Sequence, residues 1–184
     1  HLKLDDVRTL MLSRERKRTL ESQMLVRRVS ISAQELTEYE AQCKKDGRPT
    51  QQVLLAQILI ECTREERRQR TGRKYFEKAL KLARSAGAHP ETFAQLCREN
   101  STDTATRANG GDLGWLDPGD LLAPLRQRLA AMHLGEISEP IETERGYHIL
   151  WLKDRRSSRD LLFAEKYARE RENMILQLRK EATI

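Results

Sequence analysis

Residues 53–60 read Val-Leu-Leu-Ala-Gln-Ile-Leu-Ile, an apolar run broken only by Gln57. A strand of alternating character can leave one face in water, but this run cannot. Both of its faces must be covered, so it predicts a central strand with secondary structure packed above and below it. A strand in that central position takes partner strands along its edges. Tyr147 to Lys153 supplies one, with His148, Leu150 and Leu152 on one face and Tyr147, Ile149 and Trp151 on the other. Leu113-Gly114-Trp115 and the extended stretch Ile137 to Ile141, broken at Pro140, are shorter candidates. Helices are expected over 72–86, with Phe76, Ala79, Leu80 and Ala83 inward, over 91–99 with Phe93, Leu96 and Cys97 inward, and over 121–132.

The flanks differ from this middle. Residues 4–28 contain no Gly or Pro and read as a helix, polar in its central turn. Ser32-Ala33-Gln34-Glu35 has capping-box spacing and starts a second helix, which Asp46-Gly47-Arg48-Pro49 stops near Lys45. Residues 158–180 read as a third, with Phe163, Tyr167, Met174 and Leu178 on one seam. A seam of that kind needs a partner, and the N-terminal helices are the obvious one. The expected organisation is an N-terminal helical segment over 1–50, an α+β domain over 51–155, and a C-terminal helix over 156–184 that packs with the N-terminal helices.

Charge and composition narrow the function classes. Of 184 residues, 34 are Lys or Arg and 28 are Asp or Glu, a net charge of +6. Residues 1–50 carry +3, 51–154 carry zero and 155–184 carry +3, so on this division the basicity belongs to the ends. Basic residues alternate with Glu at helical spacing, which reads as a solvated face, and no nucleic-acid partner is expected. No apolar run approaches the roughly 20 residues of a membrane helix. The opening HLKLDDVRTL lacks the continuous apolar stretch of a signal peptide. Cys43, Cys62 and Cys97 form no CxxC pair, so neither a disulfide framework nor a zinc site is expected.

Five segments in order carry the chemistry: Ala56-Gln57-Ile58-Leu59-Ile60, Ser101-Thr102-Asp103, Asn109-Gly110-Gly111-Asp112-Leu113-Gly114-Trp115, Gly135-Glu136-Ile137-Ser138-Glu139-Pro140 and Gly146-Tyr147-His148-Ile149. Together they resemble the parvulin (rotamase) family of peptidyl-prolyl cis/trans isomerases over roughly residues 51–155. The helical flanks look like those of the SurA and PrsA type of extracytoplasmic foldase and chaperone. The resemblance implies a four-stranded sheet with surrounding helices, inserted in a module made from the terminal helices. It implies a periplasmic or otherwise extracytoplasmic setting, unfolded or proline-containing polypeptide clients, and no cofactor or metal. A homodimer through the terminal helices is compatible with it.

Carried over by motif, the candidate catalytic residues are Asp103 in the loop before the double glycine, His148 on the last strand, Thr143 at a family hydroxyl position, and Gln57, which stands where the family usually has a histidine. Leu121 and Leu125 fall where Met and Phe commonly wall the proline slot, Ala130 where a second Phe is frequent, and Trp115 is a further substrate-binding candidate. Simpler readings stand beside these. His148 could be a satisfied core histidine, Asp103 a turn cap, and Trp115 core. Gln57 cannot titrate, although its amide donates and accepts hydrogen bonds, and Leu125 keeps an apolar wall without an aromatic ring. The expected function is prolyl isomerisation within a folding chaperone. The alternatives are a catalytically weak or inactive holdase on the same fold and, less favoured, a basic interaction module.

Overall fold

The computed structural model describes Thr19 and residues 23–181. Residues 23–28 are helical; the remainder of the helix expected over 4–28 lies outside the described residues, Thr19 excepted. The chain divides into two compact units. One runs from Gln51 to Ser157, and the other joins the described residues up to Thr50 with those from Ser158 onward.

The larger unit is built on β1 (Gln52–Glu61), which is buried along most of its length and lies between two other strands. With β2 (Asp112–Leu116), β3 (Ile141–Thr143) and β4 (Gly146–Arg156) it forms a four-stranded sheet in the order β2-β1-β4-β3, every neighbouring pair antiparallel. The parvulin arrangement expected from the motifs is therefore present. Alternation along β1 sends side chains to opposite layers. Ala56, Ile58 and Ile60 meet Tyr147 and Ile149 of β4 beneath α3 (Arg70–Ala88) and α4 (Phe93–Asn100), which contribute Ala79, Leu82, Ala83, Ala86, Phe93 and Cys97. Val53 and Leu55 point the other way, with Leu150 and Leu152, and are covered by α5 (Ala123–Ala130) through Leu125 and Leu129 and by Met132 just beyond it. A short helix, α2 (Arg64–Arg68), links β1 to α3 and is capped by reciprocal bonds between Thr63 and Glu66.

Two helical expectations need correction. Phe76 does not point inward: it is 40% exposed, with its ring edge-on to Tyr147 at 5.5 Å. Its position on α3 lies at the margin of the stripe that faces the sheet, and the small residues Ala79 and Ala83 occupy the close approach instead. The helix expected over 121–132 is confined to Ala123–Ala130. Leu122 takes an extended conformation, Pro124 occupies the first turn, and the chain turns at Ala131.

In the terminal unit, α1 (Ala33–Asp46) begins at the expected capping box: Ser32 Oγ accepts from the Glu35 amide and Glu35 Oε2 accepts from the Ser32 amide. It ends at Gly47, whose φ of 66° is the left-handed turn that glycine favours. Helix α6 (Ser158–Glu181) lies against α1. Its Lys166 ammonium donates to Glu35 at 2.6 Å and to the Ser30 carbonyl at 2.7 Å, and its Glu165 accepts from the Tyr39 hydroxyl at 3.1 Å. Among the described residues no helix is long and apolar enough to cross a membrane.

Candidate active site

Gln57 and His148 project from neighbouring central strands, β1 and β4, on the sheet face that also carries Leu55 and Leu150. They meet because the antiparallel register pairs Gln57 with Leu150 and Leu59 with His148. A continuous row of hydrogen bonds results. The Gln57 amide donates to Asp103 Oδ2 at 2.9 Å, and Gln57 Oε1 lies 3.2 Å from His148 Nδ1. His148 Nε2 lies 2.9 Å from the Thr143 hydroxyl. At the other end the Thr106 hydroxyl donates to Asp103 Oδ2 at 2.7 Å. Gln57, Asp103, Thr143 and His148 are all buried.

The donors in this row can be assigned. A carboxylate only accepts, so Gln57 must turn its amide nitrogen to Asp103 and its oxygen to His148. That oxygen requires a proton on His148 Nδ1. Nε2 is then an acceptor, and it takes the Thr143 hydroxyl proton. The imidazole is neutral: burial, assisted by the positive charge of Arg145, pushes its pKa from 6.5 to about 4, against the pull of Asp103. For Asp103, burial alone would raise the pKa. Hydrogen bonds from Thr106, Gln57 and the Ala105 amide, with the charge of Arg145, outweigh burial and leave the carboxyl ionised below its ordinary range.

Beside Thr143 the surface opens into a hollow of about 630 Å³ lined by Arg64, Arg67, Pro124, Glu142, Thr143 and Glu144. Pro124 adjoins Leu125, which is buried in the apolar layer on this face of the sheet, and Leu121 packs against that layer at its edge. Arg67 is held in place by Glu142 at 3.2 Å and by the carbonyls of Cys62 and Glu144. The arrangement is a buried polar row ending at an open hollow whose lining is mostly charged or polar, with Pro124 as its apolar side.

Six of the eight candidate residues therefore lie on one face of the sheet or in the loop hydrogen-bonded to it, and two do not. Ala130 is exposed at the end of α5 and outside the apolar layer. Trp115 sits on the edge strand β2, paired with Leu54, with the Arg156 guanidinium 3.7 Å above its ring. Two contributors were not among the candidate site residues. Ser101 Oγ accepts from the amides of Leu59 and Asp103 and so pins the loop to β1. Thr106 holds Asp103 by its hydroxyl, while its carbonyl accepts from the amides of Asn109 and Gly111. The Asp-x-x-Thr spacing of 103–106 is a turn pattern that could have flagged it. Among the described residues no group of three or more His, Cys, Asp or Glu is placed to hold a metal ion.

A family model described as a rotamase, PPIC-type PPIase domain, matches residues 58–154, more than half of the chain. The chain belongs to this PPIC-type rotamase family. It is 34% identical over 103 residues to the chaperone SurA of Pseudoalteromonas atlantica, a match covering 50% of this chain and 24% of that protein. It is 35% identical over 79 residues to the foldase protein PrsA of Geobacillus kaustophilus, covering 43% and 28%. The chain thus spans about a quarter of the length of these curated relatives. A solved structure of a SurA-like chaperone from Campylobacter jejuni matches 98% of this chain and 75% of its own, with a TM-score of 0.50 and 19% identity, a likeness of fold.

Proposed function

We propose that the chain isomerises X-Pro peptide bonds and works within an extracytoplasmic folding chaperone, on unfolded or proline-containing polypeptides. The observation that carries this reading is the row Thr143–His148–Gln57–Asp103, which ends at the hollow that Thr143 lines. The SurA and PrsA names of its relatives support the chaperone part. The terminal unit leaves Met24, Val26, Ile175 and Leu176 exposed, which supports contact there with a client or a second copy of the chain.

The reaction needs no bond to form or break. A planar imide is polarised by resonance and resists rotation with a barrier of about 20 kcal/mol. Twisting removes the resonance, so the transition state carries less charge separation than either planar form. A proline ring held against apolar walls in a drier site is stabilised most when twisted, which is differential binding of the transition state. The polar row suits that task. Its histidine is neutral and its donors are all assigned, so it presents a fixed electrostatic boundary and needs no proton transfer. Gln57 serves in place of a second histidine because an amide can donate on one side and accept on the other.

Two variants test this. Asp103→Ala leaves the buried Gln57 amide and Thr106 hydroxyl unpaired, a cost of about 1–3 kcal/mol. Exchange at the X-Pro bond of a short peptide, followed by NMR, should slow by about ten-fold or more if that cost falls on the transition state. Leu121→Ala thins the apolar wall, and its effect should fall chiefly on KM. Wild-type exchange rates in both variants would remove these residues from the mechanism. A wild-type protein that suppresses client aggregation yet leaves X-Pro exchange unaccelerated would assign the fold to holding alone.

A further inference from the structure

The neutral total of residues 51–154 conceals a segregation. Residues 64–84 contain nine Lys or Arg against three Asp or Glu, a net +6, and the rest of that stretch carries −6. Most of the excess lies on α3. Arg73, Lys74, Lys78, Lys81 and Arg84 are all exposed and recur at intervals of one, four, three and three, which keeps them on the side of the helix away from the sheet. The buried side is Ala79, Leu82, Ala83 and Ala86. One carboxylate interrupts the basic stripe, Glu77, and Arg73 neutralises it at 2.8 Å. Lys74, Lys78, Lys81 and Arg84 form no ion pair with any described residue.

We propose that the outward face of α3 docks on an anionic lipid bilayer. The face is the convex surface of one helix. From Arg73 to Arg84 it spans roughly 16 Å along the axis, so it can meet a planar partner with all its charges at once. Three of its four unpaired cations are lysines, compact charges suited to diffuse headgroup attraction. A single-stranded nucleic acid would require a row of aromatic platforms within a groove, and this face offers neither. Its placement also fits a tether. Helix α3 covers the sheet face carrying Ile58 and Ile149, whereas Gln57 and His148 project from the opposite face, so a docked domain keeps its hollow turned to solvent.

The full chain is mixed at low ionic strength with phosphatidylcholine vesicles, with and without about one-third phosphatidylglycerol, and the bound fraction is read by sedimentation. Binding to the anionic vesicles alone is expected, and it should fall with added salt. Replacing Lys74, Lys78 and Lys81 together by Gln should weaken it on the order of 100-fold, each lysine near the surface contributing about five-fold. Unchanged X-Pro exchange in that triple variant shows that its fold is intact, since none of these residues touches the polar row. The proposal is overturned by equal binding to neutral vesicles, by wild-type affinity in the triple variant, or by preference for polyuridylate or polyglutamate at equal charge. The last result would assign the face to a nucleic acid or an acidic polypeptide.

Discussion

Gly111→Ala is expected to lower the stability of the larger unit by about 3 kcal/mol or more. Gly111 has a φ of +81°, in the left-handed region, and a Cβ placed there would sit 2.1 Å from the Gln57 carbonyl oxygen and 2.8 Å from Cys97 Sγ. Neither neighbour can yield cheaply. The Gln57 backbone N–H donates to the Gly111 carbonyl at 2.8 Å, the Gly111 N–H donates to the Thr106 carbonyl, and Cys97 is buried in the core. Relief of the clash must push the glycine loop off β1, which carries Asp103 and Thr106 away from Gln57. The variant should therefore lose isomerase activity together with stability. Urea unfolding monitored by tryptophan fluorescence measures the first effect. A midpoint shift worth less than about 0.5 kcal/mol would mean that the loop is not clamped to the strand as described.

The second large effect is a loss of stability in mild acid. His148 is held neutral in the folded protein down to a pKa of about 4, whereas in the unfolded chain it titrates at 6.5. Above pH 6.5 both states leave it neutral and the difference contributes nothing adverse. As the pH falls from 6.5 toward 4 the unfolded chain binds a proton that the folded chain excludes, so stability declines through that window and levels off below it. Between pH 7 and pH 5 the decline assignable to this one residue is about 2 kcal/mol. His148→Gln lacks the titrating group, so the difference between its pH profile and that of the wild type isolates the effect. Nitrogen-15 shifts of the imidazole provide the direct check: a proton on Nδ1 throughout and no midpoint above pH 5. A midpoint near 6.5 would mean that the ring is solvated and the assigned tautomer is wrong.

Both effects trace to contacts between residues far apart in the chain, which marks the limit of what a linear reading could supply. The central strand was legible because an eight-residue apolar run has few alternatives once both faces must be dry. The Ser32–Glu35 cap and the Gly47 stop were legible because each is satisfied within a few residues. The alternation of β4 was legible because a period of two is a local property, and the two apolar layers divide its side chains as that period requires. Motif resemblance singled out Gln57, Asp103, Thr143 and His148 without showing how they touch. Their order in the hydrogen-bonded row, 143–148–57–103, is not their order in the chain.

What the amino-acid sequence determined by itself was the two long central strands, the ends of α1 and the family, since these depend on periodicity, caps and the glycines that only certain turns admit. The tertiary structure alone decided the protonation of His148, the direction of the Gln57 amide, and the displacement of Ala130 and Trp115 from the row. Each of those depends on burial or on a partner delivered by sheet register across up to 91 positions. Solvent exclusion and hydrogen-bond polarity belong to the assembled surface, and no single segment carries them.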